Sequence, residues 1–244
     1  MSNFRLGTSG FTYGDWRNRF YPKGVSQSRW LAFYAQRFST VELNATTYRL
    51  PKEAQVARWC DTVADNFIFT VKLSRLITHR KDLPPRLDDF IHNYMDRIGC
   101  FDRSKLGQIL CQFPPFLERD DQRLEAFLDK LPAEYRYVVE FRHKSWNQEA
   151  VYQILRRRKM AFCIHDYPRA KTADVVTADF AYVRFHGYTS LYAGSYPKRT
   201  LQRWAKRLRA VGSRVNCTFI YFNNDVEAAA IGDAQYLRKL LNGQ

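Results

Sequence analysis

Val138-Val-Glu-Phe-Arg-His143 starts as a strand buried on both faces and does not finish as one. Val138, Val139 and Phe141 suit a parallel sheet covered by helices, but Glu140 and Arg142 interrupt the apolar run. Side chains two apart in a strand share a face, so this carboxylate and guanidinium point the same way. Thr40-Val-Glu-Leu-Asn-Ala45 places Glu42 and Asn44 in the same relation, and Tyr182-Val-Arg-Phe-His-Gly187 does so with Arg184 and His186. In each run the polar residues fall near the C-terminal end.

Outward from these three segments, β-branched and aromatic runs occur at Phe4–Ser9, Thr40–Ala45, Phe67–Leu73, Leu106–Phe113, Tyr137–Arg142, Ala161–His165, Ala181–Phe185 and Cys217–Phe222. They recur roughly every thirty residues, and most intervals carry a helical stripe. Leu87, Phe90, Ile91, Tyr94 and Ile98 form one such stripe, and Leu201, Trp204, Ala205, Leu208 and Val211 another. Asn224 or Asp225 is placed to cap a last helix with Ala229, Ala230, Ala234, Leu237 and Leu241 on its buried face. Strands alternating with helices over the whole chain predict an α/β fold: a (β/α)8 TIM barrel forming one domain over residues 1–244. The segment Tyr167–Asp179 has little helical period, so the sixth helix is expected to be short or missing. A doubly wound open sheet is the alternative, weakened because Gly7-Thr-Ser-Gly-Phe11 lacks the third glycine of a dinucleotide fingerprint.

Composition agrees with a folded enzyme-sized domain. The 244 residues are 45% hydrophobic and 16% aromatic, which excludes disordered, collagenous and coiled-coil chains. No apolar run approaches the roughly 18 residues of a membrane span, and no secretory leader is visible, so no membrane partner and a cytoplasmic location are expected. The five cysteines (Cys60, Cys100, Cys111, Cys163, Cys217) have no zinc or redox spacing, which fits a reducing cytoplasm, and three of them sit inside apolar runs and read as small core residues. The 39 Lys and Arg against 24 Asp and Glu give a net charge of +15. That excess points to an anionic small-molecule or nucleic-acid ligand, or to a solvated basic surface.

In a barrel the strand C-terminal ends meet at one rim. Besides Glu42, Asn44, Glu140, Arg142, Arg184 and His186, that rim receives Lys72, Gln112, His165, Asp166, Asn223, Asn224 and Asp225. An unpartnered buried charge costs several kcal/mol, so a ring this dense is either a set of mutual ion pairs, Glu42 with Arg184 and Glu140 with Arg142, or a site. Aromatic residues in the adjoining loops, Tyr13, Trp16, Tyr48, Trp146, Tyr188, Tyr192 and Tyr196, look exposed and suit stacking on a sugar or base, interleaved with Arg49, Arg75, Arg80 and Arg199, with ordinary lid packing accounting for some of them.

These segments together resemble the YecE-like family, a domain of unknown function (number 72) grouped by likeness with sugar isomerases. The resemblance rests on Gly7-Thr-Ser9-Gly with Tyr13, Trp16 and Phe20-Tyr-Pro22; Val41-Glu-Leu-Asn-Ala-Thr-Thr-Tyr-Arg49; Phe69-Thr-Val-Lys72 with Ile77-Thr-His79; Leu110-Cys-Gln-Phe-Pro-Pro115; Glu140-Phe-Arg-His143 with Ser145-Trp146; Tyr182-Val-Arg-Phe-His-Gly187; and Tyr221-Phe-Asn-Asn-Asp225. It implies a TIM barrel and a polar cavity built from these residues, and it supplies no activity. One departure is visible. The family's Asn-Ser-Thr-Phe-Tyr is Asn44-Ala-Thr-Thr-Tyr48 here, which implies the loss of an aromatic pocket wall.

Three chemistries follow. In the first, an enzyme of hydrolase, lyase or isomerase type acts on a phosphate-bearing sugar, nucleotide or nucleic acid. Glu42 and Glu140 serve as base and acid, one kept ionised by Arg142 or Arg184 and the other raised by burial, with His186 as alternate proton carrier. Lys72, Arg142 and Arg184 hold the anion, and no cofactor is called for. In the second, Glu42, Glu140, Asp166 and His186 bind a divalent metal, as in an isomerase-like or endonuclease-like barrel. In the third, a non-catalytic protein binds nucleic acid through Lys198–Arg214, which has seven basic and no acidic residues, and through Arg156-Arg-Arg-Lys159. Arg203, Lys206, Arg207 and Arg209 fall off the apolar stripe and are expected to face solvent.

Overall fold

Every strand of the sheet is parallel to its neighbours, as the alternation of strands and helices requires. A computed structural model describes residues 3–83, 85–167 and 172–243. The strands are β1 (Phe4–Thr8), β2 (Thr40–Leu43), β3 (Ile68–Lys72), β4 (Leu106–Phe113), β5 (Arg136–Phe141), β6 (Ala161–His165), β7 (Phe180–Phe185) and β8 (Cys217–Phe222). They follow one another around the sheet from β2 to β8 and on to β1. The helices are α1 (Trp30–Ala35), α2 (Glu53–Thr62), α3 (Arg75–Thr78), α4 (Leu87–Ile98), α5 (Asp121–Leu128), α6 (Glu149–Arg157), α7 (Lys198–Gly212) and α8 (Ala229–Leu241). The protein is thus a (β/α)8 barrel. Among the described residues no helix separates β6 from β7, and residues 168–171 of that expected gap lie outside them.

The cylinder closes between β1 and β2, and it does so without a ladder. One bridge, Ser9 with Glu42, joins them at the top, where the Gly10 N–H also donates to the Glu42 carbonyl at 2.7 Å. Below it the Tyr34 phenol of α1 is inserted between the strands. Its oxygen accepts from the Thr8 N–H at 2.9 Å and donates to the Thr40 carbonyl at 3.1 Å, so a side chain replaces a missing sheet bond. Gly7 permits the approach, since a Cβ there would lie 2.2 Å from the Thr40 carbonyl oxygen.

Inside the barrel the filling changes with height. Leu110, Val138, Ala161, Cys163, Phe180 and Phe219 form the apolar lower part of a buried cluster that includes Tyr182 and Tyr221. The Tyr221 hydroxyl reaches the Thr40 and Thr70 hydroxyls at 2.6 and 2.9 Å. Around the outside, the α7 stripe is buried throughout, whereas Phe90 on the α4 stripe is exposed. The proposed capping of the last helix is not found. The Asn224 amide donates to the Gly194 carbonyl and to Asp233, Asp225 makes no side-chain cap, and a turn of 3-10 helix at Val226–Ala228 precedes α8.

Candidate active site

Arg184 stands at the centre of the barrel, fully buried. Its Nη2 meets Glu42 Oε1 at 2.7 Å and its Nη1 meets Glu140 Oε2 at 2.5 Å, so one guanidinium bridges carboxylates from β2 and β5. Arg142 Nε donates to Glu140 Oε1 at 3.1 Å, and His186 Nε2 lies 2.9 Å from the same oxygen. The Tyr182 hydroxyl donates to Glu42 Oε2 at 2.5 Å. Both ion pairs expected from the sequence are present, joined through Arg184 into a single network. Two guanidiniums balance two carboxylates, which is how charges this deep avoid the several kcal/mol of an unpaired ion.

The electrostatics assign the protons. Burial alone would raise the Glu140 carboxyl, but Arg184, Arg142 and His186 outweigh it and hold it well below the usual carboxylate range. Glu140 is therefore not the burial-raised acid of the two-carboxylate expectation. Burial pushes His186 well down despite Glu140, so it is a neutral imidazole. With Nε2–H donated to Glu140, its Nδ1 accepts from the Asn223 amide at 3.3 Å. Lys72 is the cation without a counter-ion: Nζ donates to Gln112 Oε1 at 2.9 Å and makes no ion pair among the described residues. Burial, then Arg184, and also Arg142, lower its amine to about 8. Gln112 passes the contact on to His79 at 3.4 Å, which burial and Lys72 lower to about 4.

Above this network a cleft of 1460 Å³ opens at the barrel mouth and runs outward between α1 and α2. Its walls include Tyr13, Asn44, Tyr48, Lys72, Arg142, Arg184, Tyr192, Asn223 and Asp225. Glu42, Glu140 and His186 lie beneath this surface, wholly buried. The Tyr192 hydroxyl accepts from Arg142 Nη1 at 3.0 Å, and its backbone sits at a positive φ of 67°. Ser9 Oγ, Asn44 Oδ1 and Arg184 Nε are buried and have no hydrogen-bond partner among the described residues.

Several aromatic residues expected as exposed platforms are structural. Trp16 is fully buried, its Nε1 donating to the Asp225 carbonyl at 2.7 Å and its ring against Tyr13 and Phe20. Trp146 is equally buried, stacked on Phe141 at 4.5 Å and donating to the Leu117 carbonyl. Tyr196 is buried, its hydroxyl bonded to Asp166 and accepting the Gly187 N–H. Tyr48 and Tyr188 are exposed as expected, at 76% and 51%. Of the seven large exposed apolar side chains among the described residues, three (Tyr48, Leu191 and Val226) line the cleft and give its mouth an apolar lip.

Other expected site residues support the frame. His143 caps the turn Lys144–Trp146 through Ser145, and His165 bridges the Phe141 carbonyl and the Tyr167 N–H. Asp166 accepts the His186 N–H at 2.8 Å. The metal reading finds no matching donor set: Arg184 sits between the two carboxylates a divalent ion would share, and among the described residues no three His, Cys, Asp or Glu are grouped to hold one. Thr47, at the position of the family's aromatic, is buried and is not among the cleft walls. Sequence reasoning missed Tyr182 and Tyr34. Extending the spacing of Arg184 and His186 back by two would have found Tyr182, whereas nothing local marks Tyr34.

A TIM barrel with a neutralised ion network under a cationic mouth is the class that this geometry defines. The chain belongs to the family described as Protein of unknown function DUF72, whose model matches residues 5–244. UPF0759 protein YecE of Escherichia coli (strain K12) is 38% identical over 111 residues, a stretch spanning 45% of this chain and 40% of that protein. UPF0759 protein YunF of Bacillus subtilis (strain 168) is 24% identical over 94% of this chain and 92% of its own length. A solved structure of a DUF72 family protein from Thermotoga maritima superposes with a TM-score of 0.88 at 28% identity, covering 98% of this chain and 99% of that one.

Proposed function

We propose that the protein is an enzyme that seats a phosphate-bearing sugar or nucleotide in the barrel-mouth cleft and acts on it by acid/base chemistry. One observation carries this reading: the cleft walls carry Arg49, Lys52, Arg58 and Lys72, none in an ion pair among the described residues, against a single carboxylate, Asp225. Arg142 and Arg184, also in the walls, are balanced by Glu42 and Glu140 below the surface, so the four unpaired cations make the field at the mouth cationic. The unpartnered Arg184 Nε and Asn44 Oδ1 suit a ligand that brings both acceptors and hydroxyl donors. The apolar lip gives a sugar face or a base a place to lie.

In this reading Glu42 and Glu140 fix Arg184 and orient His186, while the proton carrier facing substrate is Lys72, whose amine at about 8 titrates near neutrality. The nucleic-acid surface ranks second. Arg156, Arg157 and Arg158 are engaged by Glu149, Glu125 and Asp129, and Arg207 by Asp174, while Lys198, Arg199, Arg203, Lys206 and Arg209 of α7 stay exposed without an acidic partner among the described residues.

The test is thermal unfolding with inorganic phosphate, a nucleoside monophosphate, a sugar phosphate and the unphosphorylated sugar. A ligand that binds only the folded state raises the midpoint with concentration. The phosphorylated compounds are expected to do so, and Arg142→Gln to abolish the shift. Equal shifts from the unphosphorylated sugar, or none from any phosphate, would overturn the reading.

A further inference from the structure

We propose that Lys72 is a nucleophile that forms an imine with the carbonyl carbon of a substrate seated in the cleft. The proposal deepens the anion-site reading: phosphate recognition delivers the ligand, and Lys72 receives its carbonyl.

The placement of the side chain argues for this role. Lys72 is the last residue of β3, so a rigid strand aims it at the cleft, which its side chain lines. The strand end is pinned on both sides: the Lys72 N–H donates to Thr46 Oγ1 at 3.0 Å, and its carbonyl accepts from Thr46 Oγ1 at 2.7 Å and from the Tyr94 hydroxyl at 2.9 Å. Among the described residues the amine itself has one partner, the neutral amide oxygen of Gln112. A lysine whose task is to balance charge would sit on a carboxylate, and two carboxylates are close enough to act on it electrostatically. Arg184 and Arg142 have taken both.

Burial is what most disfavours the ammonium form, and Arg184 and Arg142 act with it against the opposing pull of Glu140 and Glu42. Desolvation beside other cations is the physical means by which a lysine is made nucleophilic at moderate pH, and here it brings the amine to about 8. The groups facing Lys72 from the packed strands are Glu42, Glu140, Arg142 and Arg184, with His79 beyond Gln112.

The chemistry balances without a co-reactant. The neutral amine adds to the carbonyl carbon, and one of its two protons passes to the former carbonyl oxygen to give a neutral carbinolamine. Loss of that hydroxyl together with the remaining nitrogen proton, as water, leaves the C=N bond. Such an imine makes the adjacent carbon acidic, the common requirement of isomerase and lyase reactions on carbonyl sugars.

The experiment traps the imine. The full chain is incubated with glycolaldehyde phosphate or with glycolaldehyde, reduced with borohydride, and mapped by peptide mass spectrometry. The wild-type map carries the test by itself, so it does not depend on whether a variant folds. The reduced adduct is expected at Lys72, formed roughly ten-fold or more faster than at the exposed Lys23, and faster with the phosphorylated aldehyde. Its rate should rise with pH and level near 8, whereas an unperturbed lysine keeps gaining reactivity toward about 10.4.

An unlabelled Lys72, or one labelled no faster than Lys23, overturns the proposal. If phosphate raises the unfolding midpoint while Lys72 stays unlabelled, the imine fails and the anion site stands. If Lys72 is labelled preferentially but phosphate gives neither acceleration nor a midpoint shift, the anion site fails and the nucleophile stands.

Discussion

Replacing Arg184 by Met should invert the way stability responds to acid. In the wild type the guanidinium holds Glu42 and Glu140 together at 2.7 and 2.5 Å with all three side chains fully buried. Removing one member of such a network leaves an uncompensated buried charge, a loss of roughly 3–5 kcal/mol near neutral pH. Glu140 keeps Arg142, whereas Glu42 keeps only the Tyr182 hydroxyl, so Glu42 is the group that must take up a proton in the variant. A carboxyl raised above its unfolded value binds more protons folded than unfolded, and stability then grows as pH falls through the window between the two values. At about 1.36 kcal/mol per pH unit, lowering the pH from about 7.5 to about 5.5 returns up to roughly 2.7 kcal/mol.

The wild type behaves oppositely. Its depressed Glu140 contributes stability that is fully present above the unfolded carboxylate value of about 4.3 and is lost as pH falls below it. Urea unfolding of both proteins at about pH 7.5 and about pH 5.5 gives the loss caused by the substitution at each, set against the shared decline from the lowered histidines His79, His165 and His186. A third point at about pH 3.5 reads the wild-type loss, and Glu42→Gln added to the variant should flatten its slope. A loss below about 1 kcal/mol at neutral pH, or the same loss at both values, would refute the reasoning.

Tyr34→Phe unpairs the Thr8 N–H and the Thr40 carbonyl at the β1–β2 join, a cost of roughly 1–3 kcal/mol. Amide exchange at Thr8 should quicken, and unchanged exchange would show that the phenol does not hold the strands. Trp16→Ala should cost roughly 3–5 kcal/mol by unfolding, as for any large buried aromatic, whereas Tyr48→Ala should stay within about 0.5 kcal/mol. The reverse order would restore Trp16 to the mouth. Lys72→Met removes an ammonium that burial and two arginines disfavour, so stability at pH 7 should rise while borohydride trapping at that position disappears. A fall in stability would mean that the charge is satisfied where it stands.

The barrel was legible because parallel strands and amphipathic helices leave different periods, and eight apolar runs could be placed within a residue or two of the observed strands. The ion network was legible for a related reason. Glu140, Arg142, Arg184 and His186 violate the composition of a covered strand, and the two-residue period says which of them share a face. What the sequence withheld was depth. An aromatic residue in a loop looks the same whether it lies on a ligand or under the loop, so Trp16, Trp146 and Tyr196 could not be told from Tyr48 without the packing around them. Depth also separates Glu42 and Glu140, sealed under Arg184, from Lys72, which lines the cleft two strand positions beyond Thr70. Tyr34 left no trace because a phenol on a helix is ordinary until the strand pair it interrupts is known.

The Tyr34 join also bears on how the mouth is shaped. Seven strand interfaces are laced by ladders, while the eighth is fastened by one phenol and by the Ser9–Glu42 bridge. Glu42 is at once a fastener of the cylinder, through its backbone, and an anchor of Arg184, through its side chain. Splaying of β1 from β2 would displace Glu42, and with it one of the two carboxylates that hold Arg184 under the cleft. The floor of the cleft thus hangs from the one seam of the cylinder that has no ladder.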